Sequence, residues 1–162
     1  MKSAVQRMHQ VFVYGTLKKG QPNHYWLTKP ENGVSKFLAE GKTETKFPLV
    51  IGTRYNIPFL LDKKGSGHEI EGEIYEVDDK MMGNLDILED YPEYYDREKQ
   101  NIKLSNNEIT SCWLYLIRKF PEELLQKPHL TSYKDCPEQK YCERSCRNSD
   151  IRAKDDMSFS KH

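Results

Sequence analysis

The apolar residues of this chain come in short bursts separated by turn formers, and that rhythm limits the folds open to it. Val11-Phe12-Val13-Tyr14 ends at Gly15, Phe47-Pro48-Leu49-Val50-Ile51 ends at Gly52, and Pro58-Phe59-Leu60-Leu61 runs into Lys63-Lys64-Gly65-Ser66-Gly67. Runs this short, bounded by Gly and Pro, read as buried strands. Further strands are predicted over 36–45, 70–77, 95–104 and 109–118. In the 70–77 stretch Ile70, Gly72, Ile74 and Glu76 share one face and Glu71, Glu73, Tyr75 and Val77 the other. In the last, Ile109, Ser111, Trp113, Tyr115 and Ile117 oppose Cys112, Leu114 and Leu116. One helix stands out. Asp78-Asp79 supplies an N-cap, Met81, Met82, Leu85 and Leu88 recur at helical spacing, and Pro92 closes the segment. Many short strands joined by short connections favour a small barrel or a strongly curved sheet.

Length and charge narrow the classes. A chain of 162 residues fits one domain with a core of its own. Lys+Arg and Asp+Glu number 25 each, without the basic excess of a generic nucleic-acid or anionic-membrane binder. No apolar run approaches the roughly 20 residues that span a bilayer. The N-terminal MKSAVQRMHQ lacks a secretory h-region, and no Asn-x-Ser/Thr acceptor occurs. A soluble, cytoplasmic protein is expected. From Lys134 onward 13 of 29 residues are charged, too few apolar groups to offset ordering entropy, so residues 133–162 are predicted to form a disordered tail.

Four cysteines are present: Cys112, Cys136, Cys142 and Cys146. Three crowd the tail, unlike a disulfide framework, so reduced thiols are expected. Their x5 and x3 spacings do not match the paired C-x2-C of structural zinc, and no metal is expected. No H-E-x-x-H, G-x-S-x-G, P-loop or strand-following G-x-G-x-x-G occurs.

Two places could carry chemistry. Glu89 lies four residues after Leu85 and seven after Met82, on the apolar stripe of the helix, either at a rim or lowered into a cavity. If buried, its raised proton affinity suits it to proton transfer near neutral pH. Asp86, one turn earlier, competes, and periodicity does not choose between them. The second is Tyr14-Gly15-Thr16-Leu17, a strand end turning through glycine, either an ordinary turn or a nest of N–H groups for a carboxylate or oxyanion.

These residues resemble a known family. The stretch from Val11 to His24, VFVYGTLKKGQPNH, is similar to the opening of γ-glutamylamine cyclotransferases, the avirulence-induced-gene-like branch of the γ-glutamyl cyclotransferase fold. Four further blocks agree in order. They are Phe47 to Ile51, Asn56 to Leu61, Gly65-Ser66-Gly67 leading to Glu71-Gly72-Glu73-Ile74-Tyr75, and Leu85-Asp86-x-x-Glu89-x-x-Pro92-x-x-Tyr95-x-Arg97. The resemblance implies an α+β fold, a small mixed β-barrel with flanking helices, over residues 10–132. It implies Glu89, not Asp86, as the catalytic residue, and Tyr14, Gly15, Thr16 and Leu17 as the substrate loop, with Tyr95 and Tyr115 as further pocket residues. It also implies the reaction: cyclisation of a γ-glutamyl amine such as γ-glutamyl-ε-lysine to 5-oxoproline and free amine. No cofactor is expected, and the partner is a small-molecule γ-glutamyl substrate. Two alternatives stand beside it: a cyclotransferase for glutathione or γ-glutamyl amino acids, and a non-catalytic module of the same fold that binds small carboxylates.

Overall fold

A computed structural model describes residues 7–143. Its strands are β1 (Met8–Val13), β2 (Ser35–Phe47), β3 (Leu49–Gly52), β4 (Ile57–Leu60), β5 (His68–Asp78), β6 (Asp96–Leu104) and β7 (Ile109–Leu116). Two α-helices accompany them, α1 (Tyr25–Thr28) and α2 (Asp79–Leu88). β1, β5, β2, β6 and β7 form a closed barrel in that order, and β3 and β4 form a separate two-stranded sheet. All barrel neighbours are antiparallel except β1 and β7, which close the ring in parallel with Val11 opposite Trp113. The expected mixed barrel with flanking helices is therefore the observed fold.

Strand alternation sorts the core into two layers. Phe12, Ile70, Ile74, Ile102, Cys112, Leu114 and Leu116 belong to one buried cluster. Val11, Val13, Tyr75, Val77, Tyr115 and Ile117, their alternates, join a second one with Met81, Met82, Leu85 and Leu88 of α2. Register shifts in β2 between Phe37 and Ala39 and between Lys42 and Lys46 supply the local bends that closing a small barrel requires. At Gly72 a Cβ would lie 2.4 Å from the Val13 carbonyl oxygen and 2.6 Å from the Phe12 ring, so only glycine lets β5 approach β1 there.

Helix α2 starts as its sequence predicts, with the Asp78 carboxylate accepting from the Met81 N–H at 2.8 Å. Its end is earlier than Pro92. Glu89 is the C-cap, and Asp90 turns left-handed at φ 52°. Asp90 N–H donates to the Ile87 carbonyl (3.1 Å) and Tyr91 N–H to the Asp86 carbonyl (2.9 Å), the paired bonds of a Schellman ending. Glu89 thus stands where the backbone leaves the helix.

The tail expected over 133–162 has a first part that lies within the described residues. Residues 133–143 pack onto the domain, with Tyr133 and Tyr141 only 1% and 6% exposed. Averaged hydropathy misses them because two aromatic side chains carry the burial within an otherwise polar run. Residues 144–162, including Cys146, lie outside the described residues. No helix among the described residues is long and apolar enough to cross a membrane.

Candidate active site

One cleft gathers the residues singled out above. Tyr14, Gly15, Thr16, Leu17, Glu89, Tyr95 and Tyr115 all line it, joined by Asn23, Pro58, Leu88, Tyr94 and Tyr141 among others. The space between these walls, open mouth included, is about 660 Å³.

The loop after β1 forms one wall. Its carbonyls are used: Gly15 O accepts from Lys18 N–H (3.1 Å), and Thr16 O from Asn23 N–H (2.8 Å). Its amides are not: among the described residues no acceptor takes the N–H of Gly15, Thr16 or Leu17. Three successive unengaged N–H groups beside a cleft are the makings of an anion nest. Gly15 keeps this wall close to Pro58, whose ring a Cβ there would meet at 3.0 Å.

Tyrosines make up much of the remainder. Tyr14 donates to the Tyr115 carbonyl at 2.7 Å, and Tyr95 to the Pro58 carbonyl at 3.3 Å while stacking on Phe59. Burial, with the Glu89 carboxylate adding to it, pushes the Tyr14 hydroxyl well above its ordinary pKa. Burial does the same to Tyr95, reinforced by Tyr14 and Glu89. Both phenols are therefore neutral at physiological pH, able to donate hydrogen bonds but not to serve as bases. Glu89 carries the only formal charge among the cleft-lining residues.

Asp86 has a different task. Its carboxylate accepts from Arg97 Nε (2.9 Å) and Nη2 (3.2 Å) and from the Tyr115 hydroxyl (2.7 Å). It does not line the cleft, whereas Glu89 does. Two carboxylates that helical periodicity leaves equivalent are thereby separated. Among the described residues no group of three or more His, Cys, Asp or Glu side chains is placed to hold a metal ion.

The profile of the γ-glutamyl cyclotransferase, AIG2-like family matches residues 11–135. The chain belongs to this family. A human member named γ-glutamylaminecyclotransferase is 41% identical over 137 residues, covering 78% of this chain and 90% of its own. A Drosophila melanogaster relative is 59% identical over 159 residues, covering 98% of this chain and all of its own. The crystal structure of a mouse AIG2-like protein superposes with a TM-score of 0.82 at 39% identity, covering 86% of this chain and 99% of that one. Family membership fits the barrel and places the cleft on a fold whose members include named cyclotransferases.

Sequence reasoning did not single out Asn23 for a role of its own, and it missed Tyr94 and Tyr141. The signal for Tyr141 was present, since it is the first large aromatic in the polar run after Lys134.

Proposed function

We propose that this protein is a γ-glutamylamine cyclotransferase that converts a γ-glutamyl amine, such as γ-glutamyl-ε-lysine, to 5-oxoproline and the free amine, with Glu89 as base and then acid. The observation that carries the reading is the pairing of one carboxylate with three unengaged backbone N–H groups in a single tyrosine-lined cleft. The human relative bearing the γ-glutamylamine name supports the substrate class.

A γ-glutamyl group contains its own nucleophile. The α-amine nitrogen attacks the γ-carbonyl carbon and closes a five-membered ring, so the protein needs no Ser or Cys nucleophile. Folding the substrate so that these atoms meet supplies effective molarity. The α-ammonium must first lose a proton, and the Glu89 carboxylate takes it. The new C–N bond forms, the carbonyl electrons move onto oxygen, and their return breaks the bond to the departing nitrogen. Glu89 then returns its proton to that nitrogen, which leaves as a neutral amine. The amides of Gly15, Thr16 and Leu17 hold a carboxylate or the developing oxyanion.

The test is a panel of γ-glutamyl-ε-lysine, γ-glutamylalanine and glutathione, followed by release of 5-oxoproline. Turnover of the lysine compound in preference to the others supports the reading. Preference for glutathione or γ-glutamylalanine moves the protein to the other cyclotransferase classes, and binding without turnover makes it a carboxylate-binding module.

A further inference from the structure

Asn23 takes no part in the scheme above, yet it is a buried polar side chain, 8% exposed, in the wall of the cleft. Its Nδ2 donates to Thr16 Oγ1 at 3.0 Å and to the Tyr141 hydroxyl at 3.0 Å. An amide nitrogen has two protons, and here both go to hydroxyl oxygens. Each hydroxyl, accepting from Asn23, must point its own single proton away from that amide. Thr16 and Tyr141 both line the cleft.

Tyr141 is brought there by the segment that follows the barrel. Its N–H donates to Asp135 Oδ1 (2.8 Å), Asn56 Nδ2 holds the Lys140 carbonyl (3.0 Å), and Cys142 N–H donates to the Tyr55 carbonyl (2.9 Å). The cleft walls contributed by the described residues include no Lys, Arg or His. A carboxylate bound among them must be held by neutral donors, and the direction of each hydroxyl proton then decides affinity.

We infer that Asn23 is a positioning residue: it turns the Thr16 and Tyr141 hydroxyls into donors aimed at the α-carboxylate of a γ-glutamyl group. This rests on the cyclotransferase reading and adds the group that sets the donors. It also gives residues 133–142 a part in substrate binding, because they deliver Tyr141.

The isosteric exchange Asn23→Asp tests it. An ionised Asp only accepts, so it draws both hydroxyl protons toward itself and away from the substrate. Asn23→Ala leaves the hydroxyls unconstrained. With γ-glutamyl-ε-lysine, KM should rise by about 30-fold or more in Asn23→Asp, by less in Asn23→Ala, and kcat should change less than KM in both. Thr16→Val and Tyr141→Phe should each raise KM by roughly tenfold, a typical loss for one hydrogen bond to a charged group, while remaining folded with a Tm lowered by the one Asn23 proton that loses its acceptor. A purely structural Asn23 gives the opposite order, because Ala leaves a cavity and Asp does not. Near wild-type KM in Asn23→Asp, or Ala worse than Asp, overturns the inference. If Asn23→Asp fails to fold, Thr16→Val and Tyr141→Phe decide it, and wild-type KM in both overturns it. Absence of 5-oxoproline from the wild-type protein is a different failure: it sinks the cyclotransferase reading and this inference together.

Discussion

Arg97 grips Asp86 through two nitrogens, Nε at 2.9 Å and Nη2 at 3.2 Å, while its guanidinium carbon sits 4.5 Å from the ring centroids of both Tyr91 and Trp113. Burial works against the Arg97 charge, but the Asp86 carboxylate outweighs it and raises the proton affinity. Asp86 in turn accepts from Tyr115, whose backbone carbonyl receives the Tyr14 hydroxyl. This chain of contacts ties the end of α2 to the floor of the cleft, and it commits Asp86 to holding the site together.

Asp86→Asn and Arg97→Lys should therefore cost stability more than chemistry. Each leaves a partly buried partner with a poorer match, worth about 1–3 kcal/mol in unfolding free energy. Thermal or urea unfolding checks the cost, and kcat should fall by less than about tenfold, well short of the loss of a proton-transferring group. A loss of activity from Asp86→Asn as large as that from Glu89→Gln would reverse the assignment.

Tyr133 fills the barrel core at 1% exposure, and its hydroxyl is buried with no hydrogen-bond partner among the described residues. Tyr133→Phe removes a desolvated polar group and keeps the ring. Stability should stay level or rise by about 1 kcal/mol, while Tyr133→Ala should cost about 3–5 kcal/mol. Paired denaturation curves show whether residue 133 belongs to the folded domain.

Arg118 bridges Asp62, Asp96 and Glu98 at 3.0, 2.7 and 2.6 Å. Arg118 itself holds Asp96 below its ordinary value of 3.8. Burial works to raise Asp62 and Glu98, but Arg118 and Lys64 prevail and hold both below their ordinary 3.8 and 4.5. Carboxylates depressed in the folded state add stability that is present above their unfolded pKa and is lost as pH falls through the folded one. The fold should weaken as pH drops below about 4.5, and Arg118→Gln should lower stability at pH 7, modestly because the cluster is partly exposed, by an amount that shrinks as pH falls, which flattens the acid limb. An unchanged limb in Arg118→Gln would contradict the cluster's role.

Cys112 is fully buried among Phe12, Ile74 and Leu114 in the barrel core, and burial pushes its thiol up to about 12. It should resist alkylation in the native protein, while the partly exposed Cys136 and Cys142 react. Mass mapping after brief iodoacetamide treatment shows which thiols are modified.

Much of this architecture is legible in the order of the residues. The two-residue alternation of 70–77 and 109–118 already divides each strand between the two core layers, and the Asp78 cap marks where α2 begins. What periodicity could not do was separate Asp86 from Glu89. Both occupy the same side of one helix, and the difference comes from a left-handed Asp90 and from Arg97, which reaches Asp86 from β6. Nor could the sequence choose between an ordinary turn and a nest at Gly15, Thr16 and Leu17, because an N–H without an acceptor is a property of the assembled loop. Tyr133 and Tyr141 escaped because a hydropathy average over a charged run conceals single anchoring rings.

The most direct test of the central claim is 5-oxoproline formation from γ-glutamyl-ε-lysine by wild type, Glu89→Gln and Asp86→Asn, each shown to be folded by circular dichroism. Gln keeps the size and hydrogen-bonding capacity of Glu89 but cannot carry the proton. Glu89→Gln should lose about 10²–10⁴-fold in kcat, with Asp86→Asn retaining most of its activity. A folded Glu89→Gln that still forms 5-oxoproline at the wild-type rate would contradict the account.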